Sequence, residues 1–495
     1  MRCIHVKDVI LMKKEKNGII ASPLPPRELN KVRLAYGLGD FYGGGAMGIV
    51  GLLYLFFLTN VAGISPLQAG LVIFIGGVFD AVTDPLMGTI SDRTRSRRGR
   101  RAPYFLWGVI PVVVSFILIW YVPVLSGWWL VLYYIIVFCL FNGAFAVVMV
   151  PYAALAPELS PDAGQRTSII GTRMAFSVVG GLLAAVVPML IIESISGEVR
   201  VGYILMALIF ALVFGAIWLF MYFVMRGREI APAKRSPSKI GVSLKQMWKN
   251  RPFRILVAVY LLAFIPNDIT GANFIYFLNF YLLREGYFSL VVGLTMVVAV
   301  LSLPFYIQLI KRWGKPKTMV MGCLLRTAGL LSLLLIGPDT PLWLILAFSA
   351  FHGVGMGSSY AVPWALLPEV TDYDEALTGE RNEGIYAGIM TFIRKLSSAL
   401  AMLMIGAVLQ ISGYVGDAVV QTSTAVTAIR MTTILLPLLC SLLCAFFAAR
   451  FPIGPHNLGR LREAVDARRR GEDVGDLSCL LDKVQLSAGE EFGHD

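Results

Sequence analysis

Long apolar runs alternate with short polar breaks along almost the whole chain. Twelve runs are long enough to cross a bilayer as helices, which takes about 20 residues. They fall at 32–58, 65–90, 104–124, 128–156, 168–192 and 201–225, then at 253–283, 290–309, 318–336, 341–367, 385–411 and 425–449. The polar stretch 226–252, with Lys234, Arg235, Lys239, Lys245 and Lys249, divides them six and six. The pattern predicts an all-α polytopic membrane protein: a tail (1–31), a six-helix half (32–225), a linker (226–252), a second six-helix half (253–450) and a second tail (451–495). One short helix is expected at 457–470.

Composition sharpens this. Of the 495 residues, 57% are hydrophobic and 15% charged, where a soluble protein has about 25% charged. Mean hydropathy is +0.72. The net charge of +12 would suit a nucleic-acid binder, but the basic residues lie in the N-terminal tail, 93–101, the linker, 311–317 and the C-terminal tail. The alternate loops, 124–127, 195–199, 338–341 and 412–421, hold almost no Lys or Arg. This positive-inside pattern puts both termini in the cytoplasm of a multi-pass protein of the plasma or inner membrane, with the bilayer and not nucleic acid as partner. The expected state is a monomer. The short apolar patch 9–12 in the first thirty residues is too short for a signal-peptide core. Six cysteines without metal spacing, four histidines and no nucleophile–base pair argue against an enzyme and against a cofactor.

The halves echo each other. Pro151-Tyr-Ala-Ala-Leu-Ala-Pro157-Glu158 closes span four and Pro363-Trp-Ala-Leu-Leu-Pro368-Glu369 closes span ten. Arg98-Gly99-Arg100 follows span two and Trp313-Gly314-Lys315 follows span eight. Matches six spans apart imply two parallel repeats, the layout of the major facilitator fold, with a substrate site at midplane.

Charges inside the spans are the candidate chemistry. Asp80, Thr83 and Asp84 share one helical face of span two. With the water interface near Asp92, a rise of about 1.5 Å per residue puts Asp84 roughly 12 Å and Asp80 roughly 18 Å deep. Such charges are expensive in hydrocarbon, and three hard oxygen groups suit a coupling cation, Na⁺ or H⁺, with no other metal. Arg173 in span five and Arg394 and Lys395 in span eleven are cations that could neutralise the pair when the ion is absent; interface anchoring is the favoured reading for Arg394. Asp40, in the glycine-rich start of span one, either takes part in transport or pairs near the cytoplasmic end. Asp268, Asn273 and Tyr276 lie after Pro266 and around Gly271 in span seven, the kind of helix break that lines a cavity. Trp364 in span ten is a stacking candidate. The loop expected after span ten carries Asp372, Asp374 and Glu375; with Arg97, Arg98 and Arg100 it is expected to form cross-half ion pairs that close a cytoplasmic gate.

Tyr36-Gly-Leu-Gly-Asp40, Asp80-Ala-Val-Thr-Asp84-Pro-Leu-Met-Gly88, Asp92-Arg-Thr-Arg-Ser-Arg-Arg-Gly99-Arg-Arg-Ala-Pro103 and Leu367-Pro-Glu-Val-Thr-Asp-Tyr-Asp374-Glu resemble the motifs of the glycoside–pentoside–hexuronide:cation symporters, the melibiose permease-like branch of the major facilitators. The resemblance implies that Asp80 and Asp84 bind the coupling cation, with Lys395 at the site between the halves and Arg173 in the substrate region. The permease's two sugar-holding aspartates correspond here to Gly44 and Met149, its asparagine between the span-two carboxylates to Thr83, and its span-four threonine to Ala146. The expected function is therefore symport of a sugar or glycoside with Na⁺ or H⁺. The apolar span four also resembles animal relatives that carry lysophospholipids with sodium, which makes an amphipathic lipid the alternative cargo. A non-transporting scaffold or sensor is the alternative of another class.

Overall fold

The computed structural model describes residues 24–96, 98–160, 162–195, 198–227, 247–379, 383–416 and 418–470. Among them, twelve helices are long and apolar enough to cross a membrane. Spans 1–6 are Pro26–Val61, Pro66–Arg93, Ala102–Ile119, Trp128–Leu155, Gly164–Glu193 and Val199–Met225. Spans 7–12 are Arg251–Tyr281, Phe288–Trp313, Lys315–Leu335, Leu342–Thr378, Glu383–Ile411 and Ser423–Ala449. A last helix, Pro455–Arg469, follows. All twelve stand where the apolar runs predict them.

Span 10 differs at its end. It continues to Thr378, so Glu369, Asp372, Asp374 and Glu375 are helical residues, not the loop expected from sequence. Pro363 and Pro368 lie inside the helix instead of ending it. A proline removes one backbone donor, a loss that packed membrane helices tolerate because neighbours satisfy the freed carbonyl. The stop comes at Gly379, which takes φ +76° and donates its N–H to the Glu375 carbonyl at 2.8 Å. A left-handed C-cap of this kind favours glycine.

The described residues form two compact units, one from those within 24–50 and 79–227, the other from those within 51–78 and 247–470. The first is cored by aromatic rings: Tyr42 lies 5.0 Å from Phe214 and 5.5 Å from Trp218, between centroids. Spans 1 and 5 approach there through glycines. A Cβ on Gly44 would come 2.4 Å from the Ser177 carbonyl oxygen, and one on Gly180 would come 2.5 Å from that of Phe41. Small residues allow such contact where no hydrophobic drive separates lipid from helix.

The second unit uses the same device. A Cβ on Gly355 would meet the Arg326 backbone at 2.4 Å, and one on Gly406 the Pro66 carbonyl at 2.2 Å. The second contact fastens span 11 to the start of span 2. The last helix lays Leu461, Ala464 and Val465 into this unit's core, and Arg469 pairs with Glu375 of span 10 at 2.8 Å.

Replacing Gly44 with valine overpacks the span 1–span 5 contact, at a cost of about 1–3 kcal/mol. Thermal unfolding of the purified protein should show a clear fall in Tm. Gly51→Val, where nothing lies within 4 Å of the added carbon, is the near-neutral control.

Candidate functional site

Span 2 carries the carboxylates. Asp80 is buried, with Thr83 and Asp84 half-buried one turn further on. The Thr83 hydroxyl donates to the Phe79 and Asp80 carbonyls at 3.0 and 3.1 Å, which leaves its lone pairs outward of the helix hydrogen bond. Pro85 sits inside the helix and has no N–H, so the Ala81 carbonyl loses its usual i+4 donor. Two carboxylates, a hydroxyl and a backbone carbonyl without its usual donor thus lie within about one turn of this helix.

In the same unit, Asp40 is paired. Arg173 Nε lies 3.2 Å from Asp40 Oδ2, and its guanidinium sits over the Tyr152 ring, 5.2 Å from the centroid. Tyr36 and Tyr152 stack at 4.4 Å, each hydroxyl donating to the other's backbone carbonyl. Two sequence candidates, Asp40 and Arg173, are therefore partners.

The second unit repeats the solution. Arg394 grips Asp268 through two nitrogens, at 2.6 and 2.7 Å, and lies over the Phe264 ring at 4.9 Å. This corrects the interface-anchor reading of Arg394: a bidentate guanidinium–carboxylate pair is geometrically specific and holds the side chain inside the bundle. Lys395 is half-buried one turn before Ala399. Ala399 packs on Gly77 of span 2, where an added Cβ would sit 2.5 Å from its own.

The other candidates separate. Asn273 is fully buried and donates to the Ile429 carbonyl at 3.1 Å and Thr433 Oγ1 at 2.7 Å, clamping span 7 to span 12. Tyr276 is fully buried, its hydroxyl 2.7 Å from Thr59 Oγ1. Trp364 is exposed and meets Tyr260 edge-on at 5.6 Å.

The gate candidates and their neighbours have partners within their own units. Arg100 and Arg101 both pair with Glu158, and Arg101 with Asp92 at 3.1 Å. Arg98 is exposed, and its carbonyl accepts from Gly227 N at 3.2 Å. Lys315 reaches Glu369 at 2.6 Å. Glu375 is held by Arg469, whose charge that carboxylate stabilises, raising the guanidinium pKa further. Asp372 is half-buried, and Asp374 lines a small cavity with Lys249, Asn250 and Arg251. Arg97 lies outside the described residues. A cross-half gate made from Arg100 and Glu375 would have to exchange these partners.

Sequence reasoning missed Glu158, Lys315 and Glu369 as one repeated arrangement. The signal was present: each repeat carries a Pro-Glu pair, just past span 4 and inside span 10, and a basic residue after a glycine following its second span. It also missed Arg326, an arginine inside the apolar run 318–336. Arg326 is 2% exposed, and donates to the Ala263 carbonyl at 2.8 Å and to Ser359 Oγ.

The architecture matches known transporters. The xylose transporter XylE of E. coli, in a structure titled as inward open, superposes with a TM-score of 0.63 at 12% identity, covering 88% of this chain and 99% of that one. The molecule thus has the major facilitator fold. The family model described as MFS/sugar transport protein matches residues 35–455, and the chain belongs to that family, the glycoside–pentoside–hexuronide symporters. The symporter YnaJ of Bacillus subtilis strain 168 is 31% identical over 82% of this chain and 88% of its own. The glucuronide carrier protein homolog of Escherichia coli K12 is 27% identical over 88% and 95%. These relatives are named as symporters and carriers, not enzymes.

Removing one member of the Asp268–Arg394 pair strands a buried charge, and Asp268→Ala should lower stability by about 3 kcal/mol. The double variant Asp268→Ala/Arg394→Leu should lose much less than the sum of the single variants. Denaturation of all four proteins in one detergent measures the coupling.

Proposed function

We propose that the protein is a cation-coupled symporter that carries a sugar or glycoside with Na⁺ or H⁺ by alternating access between its two halves. The observation that carries this reading is the span 2 arrangement: Asp80 buried, Asp84 one turn on, Thr83 beside them and the Ala81 carbonyl freed by Pro85. These oxygens are proposed to take the coupling cation. Lys395 is assigned as the counter-charge when the cation is absent. Cation binding then favours substrate binding by linkage.

The arginines narrow the cargo. Arg173 and Arg394 each already have a carboxylate partner, Asp40 and Asp268. Neither offers an unmatched guanidinium to an acidic sugar, which favours an uncharged glycoside over a hexuronate. Trp364, exposed on span 10, is the stacking surface assigned to the sugar ring. The lysine- and arginine-bearing loops support a topology with both termini in the cytoplasm, and the chain is proposed to work as a monomer in the plasma or inner membrane.

Asp80→Asn and, separately, Asp84→Asn should abolish gradient-driven accumulation while leaving insertion and folding intact. Thermal shifts of the wild-type protein, against neutral glycosides, hexuronates and lysolipids with and without Na⁺ at two pH values, identify cargo and ion, because a ligand of the folded state raises Tm by mass action. The expected result is a cation-dependent shift with a neutral glycoside. Normal accumulation by both variants would sink the cation site. A shift with lysolipid alone would overturn the sugar cargo.

A further inference from the structure

Spans 1 and 7, the first of each half, end in the same backbone device. Each leaves the α-helix for a π turn, at Phe57–Val61 and Phe277–Tyr281. In the first, Ala62 N bonds the Phe57 carbonyl at 2.9 Å and Ile64 N the Leu58 carbonyl at 3.1 Å. In the second, Leu282 N bonds Phe277 at 3.0 Å and Arg284 N bonds Leu278 at 2.9 Å. The residue just after each turn's cap has positive φ: Gly63 at +74° and Leu283 at +53°. For glycine this is free; for leucine it is strained, and such strain persists only where the surroundings impose it.

The first turn lies in the second unit, and its side chains meet other elements of that unit. Thr59 Oγ1 lies 2.7 Å from Tyr276 Oη, the residue just before the second π turn. Asn60 Nδ2 donates to Tyr414 Oη at 2.7 Å and to the Gly416 carbonyl at 3.2 Å. The Tyr414 hydroxyl lies 3.0 Å from Asn60 Oδ1. Gly416 presses on the Thr59 backbone so closely that a Cβ there would sit 2.1 Å from the Thr59 carbonyl oxygen. An α-helix would place residues 59 and 60 about 100° apart around its axis. The π turn changes that register, and both side chains find partners on span 7 and the 412–416 loop.

We propose that Thr59, Asn60, Tyr276, Tyr414 and Gly416 form a latch that holds the non-cytoplasmic side closed. In this scheme the π turn of span 1 is the element that changes when the latch releases. A π turn carries one residue more than the α turn it replaces, so its loss rotates the downstream residues by about one residue's turn and withdraws both side chains together. Span 1 can then swing from span 7 without unfolding. The latch rests on the alternating-access reading and supplies the closure that reading needs on one side.

Amide hydrogen exchange on the full-length purified protein tests it without substrate or ion. Asn60→Ala and Tyr276→Phe remove hydrogen bonds, and Gly416→Ala drives a wedge against Thr59. Each should speed exchange at least tenfold across 57–64 and 277–284, with exchange in 92–104 unchanged. Tyr281→Phe, which removes a bond to the Ile336 carbonyl at the same end of span 7, is the control and should leave 57–64 unaltered. Unchanged exchange at 57–64 in all three latch variants would overturn the latch. So would acceleration spread evenly through the chain, or an equal effect of Tyr281→Phe. Failure of symport and failure of the latch are separable. A protein that accumulates sugar with exchange indifferent to these variants loses only the latch, whereas one that carries nothing can still show it.

Discussion

An ionised side chain in hydrocarbon costs roughly 2.5–3.5 kcal/mol on insertion scales, and much of this structure answers that cost. Each half meets it alike: an arginine on the fifth span takes a carboxylate from the first span of the same half and lies over an aromatic ring. Arg173 has Asp40 and Tyr152; Arg394 has Asp268 and Phe264. The pairing does more than neutralise. A guanidinium is planar and directional, so each pair fixes the rotation of two helices against each other. Arg326 is held differently. Among the described residues it has no carboxylate within 4.0 Å, and its charge is shared with the Ala263 carbonyl and the Ser359 hydroxyl. Both acceptors stand on neighbouring spans, 7 and 10, so this arginine ties three helices together.

Directional pairs work only if the helices are close, and the glycines supply the closeness. Gly44 touches the span 5 backbone four residues after Asp40, so the Asp40–Arg173 pair and the glycine contact support one another. The same contact bears on specificity. With the Ser177 carbonyl in the space a Cβ would need, position 44 cannot carry an acidic side chain unless spans 1 and 5 part. The absence of a sugar-gripping carboxylate there is built into the helix packing.

The twelve spans, the repeat and the Asp80–Asp84 face were legible because each rests on a short-range rule: apolar length, motif spacing and helical period. Partner identity was not. Asp40 and Arg173 are 133 residues apart, and Asp268 and Arg394 126. Nothing local in either sequence window names its partner, so Arg394 read as an interface anchor. Span 10 misled for a related reason. Pro368 looks like a helix end by local chemistry, but tertiary packing carries the helix to Gly379. Asn273 and Tyr276 had the residue types of a ligand site, yet the structure spends their polar groups on Thr433 and Thr59. An amide or hydroxyl in a membrane helix needs a partner whether or not a ligand exists.

Internal repetition gives a way to separate scaffold from function. The π turns, the basic–acidic contacts Arg100–Glu158 and Lys315–Glu369, and the two arginine pairs occur in both halves. A feature that a fold uses twice is explained by what both halves must do: stop a helix, seat a loop, neutralise a charge. Asp80 and Asp84 have no such counterpart, since the corresponding span 8, Phe288–Trp313, contains no Asp or Glu at all. Their cost is borne in one half only, so the shared architecture does not account for them. The coupling cation proposed for this site would, because an ion that enters and leaves needs a place where charge is compensated in one state and exposed in the other.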